Sequence, residues 1–313
     1  MDFIRTLTPK KRIETKHRHY ELINHLGTYG TLFFLLLLLS ACVSKKKNDW
    51  QNLSLQGKVK QIVELQYRAV ERFGKVEKGD FYREEGWDMV ILFNEQGYFL
   101  NISYINASGE EVGSADYTYN TQNELIEEKN YDAEGNFSDK NIYSYDEKRR
   151  VNQVIGVNSD GGLTGSVLTE YDDKMNQQTI SSYNVRGKLL RKELRTVNKK
   201  GFPLETKIYD AENNLINYRK ERFNSNGLRE KLIVYSSEGT VLMEVSFKYD
   251  KHENLLSQEG VDEKGEAFLP VRYEYLFDKQ GNWTKRFEYV GDKPTFILER
   301  QIEYYDMVTS APH

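Results

Sequence analysis

Apolar and aromatic residues recur along the chain in two interleaved series with a step of 26 residues, lengthened to 28 at the last step of each series. The first series of these anchor residues is Phe93, Tyr119, Tyr145, Tyr171, Val197, Phe223, Tyr249 and Phe277. The second series is Ile105, Tyr131, Val157, Tyr183, Tyr209, Tyr235, Val261 and Tyr289. A fixed period of this length indicates an array of supersecondary units that stack on one another.

The residues after each anchor predict a tight turn. Asn or Asp follows every first-series anchor, and these side chains open turns because they bond to the backbone two residues on. Gly usually stands four residues after the anchor, where a positive φ is needed. Spacings that alternate between 12 and 14 residues then leave strands of seven and nine residues. The pattern predicts an all-β fold, an antiparallel β-meander of hairpin repeats.

A second apolar residue lies six positions after many anchors, as at Phe99 and Leu215. It is separated from the next anchor by an even number of residues, so period-two alternation predicts that both share one face. Between them the same face is often charged, as at Arg191, Glu193 and Arg195. We therefore expect a curled or superhelical single sheet without a uniform apolar core. A lipid-embedded barrel is not expected, because charges fall on both faces of the strands.

The first 42 residues have the form of an export signal. A basic stretch precedes an apolar run at residues 32–39, which is too short to span a bilayer as a helix. Leu39, the last residue of this run, is followed by Ser40, Ala41 and Cys42, and these four residues resemble the lipobox of bacterial lipoprotein signal peptides. The resemblance implies cleavage between Ala41 and Cys42 and attachment of fatty acids such as palmitate to Cys42. The alternative is an ordinary thiol behind a secretory signal.

Acylation of Cys42 would place the protein at a membrane, since several acyl chains on one residue give lasting attachment. Val43 replaces the aspartate that retains many lipoproteins in an inner membrane, which implies the outer membrane. Residues 57–70 predict a strand that caps the first repeat. The predicted segments are a signal peptide at 1–41, a flexible tether at 42–53, an N-terminal β cap at 54–90, a repeat region at 91–306 and a disordered tail at 307–313.

The turn sequences YDAEGN at 131–136 and FDKQGN at 277–282 resemble the YD repeats of bacterial Rhs-type proteins. The resemblance covers residues 91–306. In that family the repeats build extended β-sheets, which in toxin-bearing members wrap into a shell around a cargo domain. The 26-residue double unit and the small number of repeats are more similar to short lipoproteins with degenerate YD repeats.

The residue composition limits the kinds of partner, catalysis and metal site that the chain can have. The chain has 44 Lys and Arg against 48 Asp and Glu, so no nucleic-acid partner is expected. After the predicted cleavage site, the histidines are His252 and His313, and Cys42 is the only cysteine. The chain after the cleavage site therefore has too few cysteines and histidines for cysteine- or histidine-based catalysis or for a usual zinc site. We expect neither a metal nor another cofactor. The loop from Asn158 to Gly162 offers oxygen ligands, but its sequence favours a turn over a calcium site.

Function is predicted at the level of a class. Trp283, Tyr304 and Tyr305 are the candidate residues for binding a protein or glycan partner, because terminal repeats differ from the others. We expect a lipid-anchored cell-envelope protein that acts as a non-catalytic binding or scaffold module with an open concave face. One alternative is an Rhs-like partial shell that holds a polypeptide in an enclosed, polar-walled cavity. Another is a surface glycan-active enzyme with two inward carboxylates about 5–10 Å apart.

Overall fold

A computed structural model describes residues 47–81, 88–106 and 108–305. The predicted signal peptide, Cys42 and the predicted tail lie outside the described residues. Helix α1 spans Asp49–Asn52, and in this part of the chain no helix is long and apolar enough to cross a membrane. The strands are β1 (Val59–Arg72), β2 (Lys75–Phe81), β3 (Asp88–Phe93), β4 (Phe99–Ile105), β5 (Glu111–Tyr119), β6 (Leu125–Tyr131), β7 (Phe137–Tyr145), β8 (Val151–Asn158), β9 (Leu163–Asp172), β10 (Gln177–Asn184), β11 (Leu189–Val197), β12 (Pro203–Asp210), β13 (Leu215–Phe223), β14 (Arg229–Ser236), β15 (Val241–Tyr249), β16 (Leu255–Asp262), β17 (Val271–Phe277), β18 (Trp283–Val290) and β19 (Lys293–Tyr304).

The strands form a closed barrel. Strands β3 to β19 pair in chain order, always antiparallel, which confirms the predicted meander. Strand β1 pairs with both β3 and β19, so eighteen strands close into a ring, and β2 lies beside the second half of β1. The prediction of an open, curled or superhelical sheet is wrong, because the strand predicted as a cap has partners on both edges.

The predicted turns form around their Asn and Asp side chains. At the first turn, Asn94 Oδ1 accepts hydrogen bonds from the backbone N–H groups of Gln96 and Tyr98, both at 3.0 Å. The fourth turn position adopts a positive φ in most turns, and Arg149 and Glu253 also take this conformation, with φ of 63° and 69°. Turns after first-series anchors lie at one end of the barrel, which we call the first rim. Turns after second-series anchors lie at the opposite end, the second rim.

An extra residue follows the turn in most strand pairs. Phe93 lies opposite Phe99, whereas Leu92 lies opposite Asn101, so Leu100 is the extra residue between β3 and β4. Each such bulge reverses the alternation of faces, and the prediction that both apolar positions of a strand share one face is therefore wrong. First-series anchors face the interior of the barrel and second-series anchors face outward. Bulges also bend strands, which favours closure of a long sheet.

Segment 47–58 lies against the first rim. The N–H groups of Asp49 and Trp50 donate to the Gly97 carbonyl, at 2.9 and 3.1 Å. The Trp50 indole N–H donates to the Val59 carbonyl at 2.8 Å. A buried apolar cluster joins this segment to β1 and β3; its members are Trp50, Leu55, Val59, Ile62, Ile91 and Phe93. The second half of the predicted tether is thus a packed part of the barrel.

Alanine at Gly97 is expected to destabilise the protein more than alanine at Gly109. Both glycines have left-handed φ angles, +84° and +83°, but an added Cβ at Gly97 would lie 2.5 Å from the Trp50 ring, whereas at Gly109 no atom lies within 4 Å. We expect Gly109→Ala to lower the free energy of unfolding by about 1 kcal/mol. Gly97→Ala should lower it by roughly 2–4 kcal/mol, because the ring must also move. Equal losses in denaturant unfolding would contradict the packing of α1 on the first rim.

Candidate functional site

Arginine and lysine lie mostly on opposite faces of the barrel strands. The inner face is the face of the buried residues Ile62, Ile91, Ala115, Ile180 and Ile208. Strand register places the following arginines on it: Arg68, Arg191, Arg195, Arg219, Arg229, Arg286 and Arg300. It places the following lysines on the outer face: Lys129, Lys140, Lys192, Lys207, Lys220, Lys231, Lys248 and Lys285. This division fits the weaker hydration of guanidinium, which suits it to enclosed ion pairs.

The outer face carries lysine–glutamate pairs that suit contact with water. Lys231 lies 2.6 Å from Glu244, and Lys285 lies 2.6 Å from Glu299. A charged residue that faces lipid at mid-bilayer depth costs about 2–4 kcal/mol. The outer face is therefore unfavourable for immersion in a bilayer.

Two arginine–glutamate–arginine groups dominate the inner face of β11 to β14. Glu193 contacts Arg191 at 2.9 Å and Arg195 at 2.8 Å. Burial acts to raise the pKa of Glu193, but Arg195, Arg191 and Arg219 outweigh it and hold the pKa below its ordinary value. Each oxygen of this carboxylate thus serves one guanidinium.

The second group repeats the arrangement two strands further on. The Glu221 side chain is 1% exposed and contacts Arg219 at 3.0 Å and Arg229 at 2.6 Å. The guanidinium groups remain partly accessible, with Arg229 27% exposed. Together the two groups place four arginines and two glutamates on one part of the inner face. We call these six residues the arginine cluster.

A further ion pair lies on the inner face near the seam of the barrel. Arg300 contacts Glu64 at 2.7 Å, and its guanidinium lies 3.5 Å from the centre of the Trp283 ring. Burial lowers the pKa of Arg300, although Glu64 acts in the opposite direction. Arg286 lies on the same face, 5.7 Å from the Trp283 ring centre.

The opposite part of the inner face, on β4 to β8, is rich in tyrosine and carries carboxylates. The Tyr143 hydroxyl donates to Glu128 at 2.8 Å, and burial raises the pKa of Glu128. Asp139 accepts a hydrogen bond from Asn130 at 2.7 Å. Glu128 and Asp139 are diagonal neighbours on β6 and β7, a placement in which residues lie about 7–8 Å apart and their Cβ atoms are somewhat closer. The glycan-active alternative requires two inward carboxylates, and it stays a prediction.

Three first-series tyrosines, together with Tyr275 two residues before the anchor Phe277, have a recurring structural role at the first rim. Their hydroxyls donate to the backbone carbonyl 20 residues earlier, at the first residue of the preceding strand. The pairs are Tyr145 with Leu125, Tyr171 with Val151, Tyr249 with Arg229 and Tyr275 with Leu255, at 2.7–2.9 Å. These bonds satisfy carbonyls beside the bulges and hold neighbouring hairpins together.

The three predicted partner-binding rings all lie at the first rim. Trp283 is 9% exposed. The Tyr304 hydroxyl donates to Asp278, and burial together with this bond raises the pKa of Tyr304 to about 12. The Tyr305 hydroxyl donates to the Phe93 carbonyl. These contacts hold the seam of the barrel, and a partner-binding role for the rings stays a prediction.

Other residues singled out from the sequence lie in turns. Asn158 Oδ1 accepts the N–H of Gly162 at 2.7 Å, and His252 is exposed beside Asp250. Within residues 47–81, 88–106 and 108–305, no group of three His, Cys, Asp or Glu residues is placed to hold a metal ion. Ala41 and Cys42 lie outside the described residues, so cleavage and lipidation stay predictions.

Comparison with known proteins does not assign this chain to a family. No family model and no curated protein matches the chain. Among solved structures, a porin-like protein from Bacteroides uniformis aligns over 79% of this chain and 98% of its own, at 10% identity and a TM-score of 0.30. A porin-like protein from Bacteroides vulgatus aligns over 80% and 100%, at 12% identity and a TM-score of 0.21. A DUF1329 family protein from Desulfovibrio piger aligns over 81% and 88%, at 8% identity and a TM-score of 0.21. TM-scores this low do not establish a common fold.

The arginine cluster was not predicted as a site. The sequence shows Arg191, Glu193 and Arg195 at alternate positions, which indicates a shared face but not an enclosed one. The sequence alone does not show that the second arginine–glutamate–arginine group lies beside the first, because their proximity depends on the register between β11, β12 and β13. The usable signal was the preference for arginine over lysine at these positions.

Proposed function

We propose that this protein is a lipid-anchored protein of the bacterial envelope that binds a ligand on the inner face of its barrel without acting on it chemically. The observation that carries the proposal is the arginine cluster, in which four guanidinium groups are enclosed with only two carboxylates. Such a surplus of positive charge on an enclosed wall favours a negatively charged occupant. The binding surface is thus the inner face and not the open concave face expected from the sequence.

The size of the ring supports an accessible interior. Side chains fill a barrel of about 8 strands, whereas rings of about 16–18 strands leave an aqueous channel. This barrel has eighteen strands around the ring. Partial exposure of Arg191 and Arg229, at 37% and 27% of their side chains, is consistent with a wetted inner face.

The position of the N-terminal segment supports an orientation at the membrane. Asn48 lies against the first rim, where its side-chain amide donates to the Gln96 carbonyl at 2.7 Å. Asn48 lies six positions after Cys42 in the sequence, a maximum span of about 20 Å. A lipid on Cys42 would therefore hold the first rim near the membrane surface and leave the second rim directed away from it.

A second candidate function is that the barrel holds or presents a polypeptide. The observation in its favour is the closed ring with polar walls, which is the geometry that the Rhs-like alternative requires. The two candidates differ in the occupant, a small anionic molecule or a peptide chain, and one experiment can separate them.

Membrane attachment is tested by fractionating cells that express the native protein or Cys42→Ala. The native protein is expected with the membranes and the variant in the soluble envelope fraction, because the variant lacks the acylated thiol. If Cys42→Ala still sedimented with membranes, the lipid-anchor proposal would be wrong.

Binding on the inner face is tested in the same cells with a photo-crosslinking amino acid. Strand register places Asn217 on the inner face and Lys220 on the outer face of β13, so the two positions form a matched pair. Adducts are expected from position 217 and not from position 220, and their mass distinguishes a small molecule from a polypeptide. Equal labelling at both positions would overturn the assignment of the binding surface.

A further inference from the structure

Two arginines of the cluster face each other across a single intervening strand. Arg195 on β11 is paired with Thr206 on β12, and Thr206 is paired with Arg219 on β13. The three residues therefore form one row on the inner face. The backbones of β11 and β13 are separated by about 10 Å, twice the distance between neighbouring strands. Arginine side chains are long enough to converge over the residue between them.

The row contains one arginine from each ion-paired group, Arg195 from the first and Arg219 from the second. Glu193 lies on one side of the row and Glu221 on the other, and each carboxylate already uses both oxygens on its own two arginines. Arg219 nevertheless acts on the pKa of Glu193, so the two groups are within electrostatic range. Two cations on one row of the inner face of a barrel favour an additional counter-charge near them.

Hydrogen-bond donors remain at this junction. Arg219 donates from Nε to Glu221, and Arg195 donates from Nε and Nη2 to a single oxygen of Glu193. A guanidinium has five N–H donors in a planar fork, so each arginine retains donors for a further acceptor. Thr206 is 0% exposed, and its hydroxyl has no hydrogen-bond partner among the described residues. Each arginine is thus paired with one carboxylate and keeps further donors, and the Thr206 hydroxyl between them has no partner among the described residues.

The geometry points to a binding site for an oxyanion, a carboxylate or phosphate group of a ligand, between Arg195 and Arg219 above Thr206. The planar fork of arginine matches both kinds of oxyanion and can bind them through two parallel hydrogen bonds. The outer face at the same level offers Lys207 and Lys220, but both approach Glu205, at 3.3 and 4.0 Å. This inference rests on the proposed binding role of the inner face and specifies the chemistry of the ligand.

The site is tested by titration calorimetry of the full mature protein with inorganic phosphate and, separately, with succinate, at constant ionic strength set with chloride. Binding of at least one probe is expected, and the probe that binds identifies the class of oxyanion. Arg195→Gln and Arg219→Gln should each weaken binding about 10-fold or more, the usual effect of losing a hydrogen bond to a charged group. The matched control Lys220→Gln removes a positive charge on the outer face and should change the affinity less than about 2-fold.

Two conservative variants test the site without removing a charge from the inner face, so the barrel is expected to stay folded. Arg219→Lys retains the cation but lacks the planar fork, and Thr206→Val retains the volume but lacks the hydroxyl, so both are expected to weaken binding while the thermal unfolding curve stays cooperative. The inference is overturned if neither probe binds the native protein, or if Lys220→Gln weakens binding as much as Arg219→Lys. Capture of a ligand at position 217 without binding of either probe would overturn the oxyanion site alone and leave the proposed function standing.

Discussion

Replacing Glu221 with alanine is expected to lower the free energy of unfolding by about 3–5 kcal/mol. The Glu221 side chain is 1% exposed, and both of its oxygens contact guanidinium groups, those of Arg219 and Arg229. Removal of the carboxylate leaves two cations on the inner face without their counter-charge. Urea unfolding followed by tyrosine and tryptophan fluorescence measures the change.

Glu205→Ala is the matched control for this prediction. Glu205 also lies between two cations, Lys207 and Lys220, but on the outer face, where its side chain is 32% exposed. Exposed ion pairs contribute at most about 1 kcal/mol, so this variant should lose less than that. Similar losses for the two glutamates would show that the inner face is as well hydrated as the outer face, contrary to the burial of Glu221.

Trp50→Ala is expected to lower the free energy of unfolding by a similar amount, about 3–5 kcal/mol, for a different reason. The Trp50 ring is 9% exposed within the apolar cluster that joins segment 47–58 to β1 and β3. Its removal would leave a cavity next to Phe93 and free the Val59 carbonyl that the indole N–H now satisfies. Because the segment covers part of the first rim, the variant should also become more sensitive to protease near residue 50.

Phe73→Ala is the control for the loss of a large ring. Phe73 lies at the tip of the β1–β2 hairpin and is fully exposed, so its removal should change the free energy of unfolding by less than about 0.5 kcal/mol. Trp50→Phe keeps one aromatic ring in the cluster and loses the indole N–H together with part of the ring volume. It should cost about 1–2 kcal/mol. A loss for Trp50→Ala no larger than that for Phe73→Ala would contradict the packing of the segment.

Local structure was predictable from the sequence because each turn has its own chemical signal. Asn or Asp at the first turn position and Gly at the fourth fix the turn through bonds within five residues, as Asn94 and Gly97 show. Ser236 occupies the first turn position in one turn, and its hydroxyl accepts a hydrogen bond from the backbone N–H of Glu238 at 3.2 Å. These signals locate the strands and establish the antiparallel order.

Closure and the site were not predictable because they depend on the register between strands. A bulge such as that at Leu100 changes the face of every residue beyond it, and its own residue type gives no signal. The contact that closes the ring joins Val59 to Tyr304, which are remote in sequence and carry no pairing motif. Once the faces are known, the placement of Arg195 and Arg219 on one row follows from counting residues.

The closed ring constrains how such a chain can change in length. Because each strand is antiparallel to both of its neighbours around the ring, the ring can contain only an even number of strands. A single added hairpin arm would have to pair in parallel with one neighbour, whereas the addition of two arms restores the alternation. Two arms with their two turns occupy the 26-residue period of the sequence. The period is therefore the smallest insertion or deletion that changes the diameter of the barrel and preserves its pattern of hydrogen bonds.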